Sequence, residues 1–165
     1  MNSAMNVVPE TKSFATGPQN TEALATAIAN VLSDTYRLMF KTHAYHWNVE
    51  GPLFYSLHKL TEEQYEDLFA AADELAERIR ALGHMAPMKL ADITSQSVVK
   101  DLEDIPSAGE MCEDLANDHE RIAHRMHALI ELSGKHRDAV TEDMATARSS
   151  VHEQAVWMLR AIAAK

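Results

Sequence analysis

Apolar residues recur at steps of three and four along four long segments of the chain, with polar residues between them. This spacing puts the apolar side chains on one face of an α-helix, so each segment is predicted to be an amphipathic helix that packs on a core. The first predicted helix starts with Asn20 or Thr21 as its N-cap and ends at about Asn48, before Gly51-Pro52.

The second predicted helix runs from about Phe54 to Leu82, and Gly83 is well placed to end it. A longer connection follows, in which residues 95–102 predict a short helix. The first nineteen residues, in contrast, show no sustained periodicity. Residues 1–19 are therefore predicted to be a flexible N-terminal tail.

The third helix is predicted to open with a capping box at Ser107 and Glu110 and to run to about Leu132. The fourth starts near Asp138 and runs almost to Lys165. No useful stretch alternates with the period of a β-strand. Four long helices predict an all-α domain over residues 20–165: a ferritin-like four-helix bundle with a short helix in the long crossover between helices 2 and 3.

Composition narrows the class of protein. The net charge is −10, which favours binding of cations and opposes attraction to a phosphate backbone through the overall field. The single Cys112 excludes an internal disulfide and fits a reducing cytoplasm. No apolar run is long enough for a transmembrane helix, and the N-terminal residues do not resemble a signal peptide. A cytoplasmic protein without membrane association is predicted.

Five potential metal ligands lie close together in the sequence: His46 near the end of the first helix, and four residues on the second. The other three potential ligands on the second helix lie at about 40°, 60° and 100° around the helix axis from His58, so all four share one stripe of the helix surface. The stripe also carries apolar side chains, so it is expected to face a packed surface, where charged groups need partners. The four are His58, Glu62, Asp73 and Glu77.

The stripe cannot hold one ion by itself. Its two pairs of ligands, His58 with Glu62 and Asp73 with Glu77, are centred roughly 22 Å apart along the helix. Two antiparallel copies of the helix about a two-fold axis would place each first pair opposite the second pair of the other copy. The spacing therefore predicts metal sites shared between two subunits.

The ligand types suit first-row divalent metals such as Fe²⁺, Mn²⁺, Zn²⁺ or Co²⁺, and several carboxylates favour oxidation of Fe²⁺ because they stabilise Fe³⁺. Taken singly, Asp73 or Glu77 is most simply a solvated carboxylate and His46 a hydrogen-bonded histidine; the shared stripe is what favours a metal site. An ordinary di-iron bundle needs Glu-x-x-His motifs within one subunit, and no histidine here has a glutamate three residues before it.

A second group of histidines on the third helix is interpreted as a solvated or oligomer-contact face: His119, His124 and His127.

These motifs resemble the Dps family, the DNA-binding proteins from starved cells, which are also called mini-ferritins. The resemblance covers nearly all of the chain from Thr21 onward. It rests on His46-Trp47-Asn48-Val49-x-Gly51-Pro52, Leu57-His58-x3-Glu62, Asp73-Glu74-x-Ala76-Glu77-Arg78-Ile79, Asp118-His119-Glu120 and His152-Glu153-x2-Val156-Trp157-Met158-Leu159-Arg160.

The resemblance implies a shell of twelve identical bundles that binds Fe²⁺ between subunits, oxidises it, preferably with hydrogen peroxide, and stores ferric iron inside; zinc is another metal such sites could take. One subunit would supply the two histidines and Glu62, and its two-fold mate would supply Asp73 and Glu77. Glu62 stands where many members have Asp, so its longer side chain leaves the metal–metal distance open.

Roles are also predicted for residues outside the five ligands. Trp47 lies beside His46 in the sequence, so its oxidisable ring is a candidate radical trap at a redox metal, with hydrophobic packing as the alternative. The resemblance suggests acidic pores on three-fold axes that would admit iron, and the alternative for their candidate residues is a favourable helix N-terminus. The pore candidates are Asp138, Glu142 and Asp143.

The family name refers to DNA binding, but the sequence of this chain does not favour it. Members that condense DNA use Lys-rich tails, whereas here the first nineteen residues contain only Lys12 and the C-terminus offers only Lys165. DNA binding is therefore expected to be weak or absent at physiological salt. Two alternatives stay open: a nucleoid-associated DNA-protecting protein with little catalysis, and a non-catalytic bundle or zinc-type metal binder.

Overall fold

The four long segments of helical periodicity form four long α-helices in the computed structural model, which describes residues 3–164. No strand occurs within this described part of the chain. The helices, after a short 3-10 helix at Ser3–Asn6, are α1 (Thr21–Asn48), α2 (Phe54–Ala81), α3 (Leu90–Ser95), α4 (Ala108–Lys135) and α5 (Ala139–Ala163). The prediction of an all-α, ferritin-like bundle with a short helix in the crossover is confirmed.

The bundle consists of two tightly packed helix pairs. Helix α1 packs mainly on α2 and α4 mainly on α5, while α1 and α4 join the two pairs. The contact between α2 and α5 is sparse, which leaves a cleft between them. The core is filled by large apolar side chains from all four long helices: Leu24, Ile28, Leu32, Leu57, Leu68, Leu75, Ile79, Leu115, Ile122, Met126 and Leu159.

The helix ends follow from residue types at particular positions. Ser107 and Glu110 form the predicted capping box, in which each side chain bonds the backbone N–H of the other residue. Gly83 ends α2 with a φ of +91°, and a Cβ there would lie 1.9 Å from the carbonyl oxygen of Lys12. Helix α4 continues past the predicted Leu132, because the chain turns into the left-handed region only at Arg137, with a φ of 58°.

The short crossover helix was predicted at the wrong position. It lies at Leu90–Ser95, not over residues 95–102. Asp34 on α1 accepts hydrogen bonds from the Ser97 hydroxyl and from the Val98 amide, and Lys41 donates to the carbonyl of Lys100. These buried side chains of α1 bind backbone groups that a helix over 95–102 would use, so residues 96–102 are not helical.

The N-terminal residues contact the bundle at two points. The Lys12 amide donates to the Gly83 carbonyl at 2.7 Å, and the Gln19 amide donates to the His136 carbonyl at 2.8 Å. Lys165, the C-terminal cation considered for DNA binding, lies outside the described residues. Over residues 3–164, none of the helices combines the length and the apolar character needed to cross a membrane.

Candidate metal centre

His46 and His58 form a reciprocal pair where α1 ends and α2 begins. The Nδ1 atom of His46 donates to the carbonyl of His58 at 2.9 Å, and the Nδ1 atom of His58 donates to the carbonyl of His46 at 2.9 Å. The two rings stack with their centroids 3.8 Å apart. The Gly51-Pro52 turn between the helices makes this pairing possible, because it brings the chain back across only twelve residues.

The reciprocal bonds fix which nitrogen of each ring is free. A carbonyl oxygen only accepts, so both Nδ1 atoms carry a proton, and Nε2 is the nitrogen of each ring that can offer a lone pair to a metal. Metal-binding histidines commonly donate their other ring N–H to a backbone carbonyl in this way, which orients the ring. The sequence placed both histidines at the site, but it did not reveal this mutual orientation.

Aromatic rings surround the pair. Phe54 stacks on His58 with centroids 5.0 Å apart, and Tyr65 meets His46 edge-on at 5.3 Å. His43 stacks on Tyr65 at 4.1 Å and lies 4.2 Å from Trp47, which itself is 58% exposed. Sequence reasoning did not place Tyr65 at the site, although its spacing of seven residues from His58 could have signalled that it would lie beside it.

Glu62 is the third member of this half-site, one turn beyond His58 on α2. Its carboxylate accepts a hydrogen bond from the Lys59 ammonium at 2.6 Å. Lys59 holds the pKa of Glu62 below its ordinary value, and the nearby rings of His46 and His58 act in the same direction. Glu62 is therefore a predicted metal ligand whose carboxylate already has a cationic partner. The Lys59 contact was missed, although its i,i+3 spacing could have signalled it.

Asp73 and Glu77 do not join the other three ligands within one chain. Both are exposed on the C-terminal half of α2, away from the histidine pair. Over residues 3–164, no group of three or more His, Cys, Asp or Glu side chains is arranged to hold a metal ion. Two exposed carboxylates at i,i+4 on one helix form, at most, half of a metal site.

The three pore candidates differ in their surroundings. Asp138 is buried and caps α5, where it accepts from the Thr141 amide at 3.1 Å and from the Arg78 guanidinium at 2.5 Å. Its carboxylate therefore has the helix N-terminal role that was the alternative to a pore. Glu142 is half-buried and Asp143 is exposed. Only these two carboxylates are available to solvent.

The interpretation of His119 as part of a solvated face was wrong. His119 is 2% exposed, and its Nδ1 atom lies 2.8 Å from the Nδ1 atom of the fully buried His152. The two rings thus join α4 to α5 inside the bundle. His124 and His127, in contrast, are exposed as expected. Their spacing on α4 hid the difference, because the partner of His119 lies 33 residues away on another helix.

Four long helices with one crossover and a histidine–carboxylate half-site define a ferritin-like protein. The family model for the ferritin-like domain matches residues 25–165. Within that group, the chain belongs to the Dps family, as the following relatives indicate.

Two relatives and one solved structure illustrate the similarity. An uncharacterised low-temperature-induced protein from a Nostoc species is 39% identical over 78% of this chain and 73% of its own length. A DNA protection during starvation protein from Brevibacillus brevis is 33% identical over 75% of this chain and 83% of its own. A Dps crystal structure from Vibrio cholerae, described as a member of the ferritin-like diiron-carboxylate proteins, has a TM-score of 0.81 at 28% identity and covers 90% of this chain and 98% of that one.

Proposed function

We propose that this chain is a mini-ferritin that binds Fe²⁺ at sites between two subunits, oxidises it with hydrogen peroxide and stores the ferric product. The observation that carries the proposal is the reciprocal His46–His58 pair, because it presents two oriented Nε2 lone pairs beside Glu62. Imidazole and carboxylate ligands together suit Fe²⁺. Membership of a family with diiron-carboxylate proteins supports iron as the substrate.

Asp73 and Glu77 complete the proposed site from the second subunit. The two carboxylates are exposed and lie roughly 22 Å along α2 from the pair formed by His58 and Glu62. A two-fold axis near the middle of α2 brings each half-site to the other half of its mate. The dimer then carries two equal sites, each with two histidines and three carboxylates.

The proposed reaction balances with peroxide as the oxidant. Two Fe²⁺ ions each lose one electron, and one hydrogen peroxide accepts both as its O–O bond breaks. Water supplies the remaining oxygen of the ferric oxyhydroxide, and four protons are released. The carboxylates of Glu62, Asp73 and Glu77 favour the product because negative ligands stabilise Fe³⁺ more than Fe²⁺.

Anaerobic loading with Fe²⁺, followed by hydrogen peroxide, tests the proposal. Wild type should lose Fe²⁺ rapidly and yield soluble ferric iron. The variant with His46→Ala and His58→Ala should lose the fast phase because both oriented nitrogens are gone. A control with His124→Ala and His127→Ala removes two exposed imidazoles and should keep it. An unchanged fast phase in the first variant would overturn the proposal.

The proposed shell contains twelve copies and forms in the cytoplasm. Size-exclusion chromatography should show a particle of about 220 kDa, since twelve chains of 18.4 kDa assemble. A monomer of 18.4 kDa would contradict both the shell and the shared site. Zinc is proposed as a competing divalent ligand of the same site, since it accepts the same nitrogen and oxygen donors.

Two solvent-accessible carboxylates are proposed to line the iron entry. Glu142 and Asp143 at the start of α5 remain candidates for this role. Asp138 does not, because its carboxylate caps α5 and binds Arg78. Replacing both with the amides Gln and Asn should slow iron uptake while the oxidation of already bound Fe²⁺ stays fast. Equal uptake rates would remove this role.

Trp47 is proposed as a trap for one-electron oxidants. Its ring lies 4.2 Å from His43, one turn from His46, and 58% of it is exposed. Trp47→Phe should increase the spin-trap signal during the iron and peroxide reaction, because phenylalanine is harder to oxidise. Equal signals from mutant and wild type would refute it.

A second candidate function is physical protection of DNA, which the name of the Brevibacillus relative suggests. The chain has a net charge of −10 and a single lysine in its first nineteen residues, so we propose weak or absent binding at physiological salt. A gel shift at that salt distinguishes the two functions. A sub-micromolar complex would favour the DNA-protecting role and a nucleoid location.

A further inference from the structure

Two kinds of ligand meet at the half-site. The rings of His46 and His58 are held by backbone carbonyls, which cannot move away without unfolding the helix ends. The carboxylate of Glu62 is held instead by the side chain of Lys59, at 2.6 Å. Lys59 is 53% exposed and flexible. A metal ion therefore finds two ligands fixed in advance and a third that carries another cation.

Lys59 has a second carboxylate within reach. Glu62 and Glu63 follow it at three and four residues, the two spacings at which helical side chains meet. Glu63 is exposed, and its charge already acts on Lys59. The lysine side chain can thus leave Glu62 for Glu63 by rotation about its own bonds, without moving the helix.

Electrostatics opposes simultaneous binding of both cations by Glu62. A divalent ion and an ammonium on one carboxylate are like charges a few ångströms apart, and they repel even in a high dielectric. The ion pair between Lys59 and Glu62 is partly exposed, so exchanging its partner costs little. A metal ion with two nitrogen ligands already in place can displace the lysine.

We propose that Lys59 is a positioning residue that holds Glu62 until a divalent metal arrives and then moves to Glu63. It competes with the metal and so sets the affinity of the half-site. This inference rests on the proposed metal site, and it goes beyond that site by naming the cation that the metal displaces.

Binding of Co²⁺ to the full assembly, without added peroxide, tests the proposal. The visible absorption of the bound Co²⁺ is measured. Lys59→Met removes the competing charge and keeps the side-chain length, so it should tighten Co²⁺ binding by roughly 1.5- to fivefold, the range of an exposed ion pair. Lys59→Arg keeps the charge and should bind about as wild type does. Equal or weaker binding by Lys59→Met would overturn the inference.

The role of Glu63 is tested by a double-mutant cycle. Glu63→Gln should weaken Co²⁺ binding more when Lys59 is present than in the Lys59→Met background, because only the lysine needs the second partner. Glu66→Gln, another exposed carboxylate of α2, should have the same effect in both backgrounds. Identical effects of Glu63→Gln in the two backgrounds would refute the exchange.

A separate control distinguishes failure of this inference from failure of the site. If wild type binds no more Co²⁺ than the variant with His46→Ala and His58→Ala, the metal site itself is refuted. If wild type binds Co²⁺ through those histidines and Lys59→Met binds it equally well, only the lysine exchange is refuted.

Discussion

The buried pair of His119 and His152 predicts a specific sensitivity to acid. Both rings are inside the bundle, at 2% and 0% exposure, and their Nδ1 atoms lie 2.8 Å apart. Burial lowers the pKa of His119 to about 3, with a smaller contribution from the positive charge of Arg148. Burial also holds the pKa of His152 well below its ordinary value, and the charges of His119 and Arg148 act in the same direction. Asp67 faces the pair but is already bound to Arg148 through two hydrogen bonds.

The sign and size of the effect follow from linkage. The unfolded chain takes up protons at these histidines below about pH 6.5, whereas the folded chain takes up a proton at His119 only near pH 3. The free energy of unfolding therefore has its full value above about pH 6.5 and falls as the pH decreases from there towards about pH 3. At pH 5 the low pKa of His119 lowers the free energy of unfolding by about 2 kcal/mol relative to neutral pH, and His152 acts in the same direction.

Thermal unfolding at pH 7.5 and pH 5 measures this loss. For a chain of 165 residues, about 2 kcal/mol from His119 corresponds to a decrease in Tm of roughly 4–8 °C, and His152 adds to it. The test variant carries His119→Asn and His152→Asn, because the asparagine side chain places hydrogen-bonding atoms where Nδ1 was and does not titrate here. It should lose most of the pH-dependent decrease, even though its Tm at pH 7.5 is lower. His124→Asn with His127→Asn serves as the matched control and should keep the decrease.

A result that would refute this reasoning is a Tm difference between the two pH values that is the same in wild type and in the His119/His152 variant. The acid sensitivity would then come from other groups, such as carboxylates between subunits. Protein concentration must be equal in all samples, because assembly shifts the apparent stability by mass action.

Two further predictions concern buried polar groups. Asp138→Ala removes the cap of α5 and leaves the mostly buried Arg78 without its carboxylate partner, with only its hydrogen bond to Thr141. The free energy of unfolding should fall by about 3 kcal/mol, measured as a lower Tm, whereas Asp143→Ala, at an exposed site, should change it by less than about 0.5 kcal/mol. A similar Tm for both variants would contradict the cap. Cys112 is fully buried, and burial raises the pKa of its thiol to about 11. Its alkylation by iodoacetamide at pH 8 should be slower in the native protein than in the unfolded one by about a hundredfold or more, and equal rates would contradict its burial.

The sequence predicted most accurately those features whose signal is local. The ends of α2 lie within one residue of the prediction, because Gly51-Pro52 and Gly83 cannot continue a helix. The capping box at Ser107 and Glu110 is likewise a contact between neighbours. The proximity of His46 and His58 follows from a short turn between two helices, and the Lys59 contact could have been predicted from its spacing in the same way.

Features that depend on distant partners could not be read from the sequence. The crossover helix was misplaced because Asp34 binds the backbone near Val98, 64 residues further along the chain. His119 was assigned to the surface because its burial depends on His152, on another helix. Whether Asp138 serves as a cap or lines a pore depended on Arg78, 60 residues away. In each case a buried polar group chooses a partner that periodicity does not report.

Complementation between two inactive variants tests the central claim, that each metal site is completed by a second subunit. One variant carries His46→Ala and His58→Ala, and the other carries Asp73→Ala and Glu77→Ala. In a mixed dimer the site that takes histidines from the second variant and carboxylates from the first is intact, while the other site lacks both halves. Random co-assembly of equal amounts should therefore restore fast Fe²⁺ oxidation to about one quarter of wild type. No recovery in mixed assemblies, with wild type active under the same treatment, would contradict a site shared between subunits.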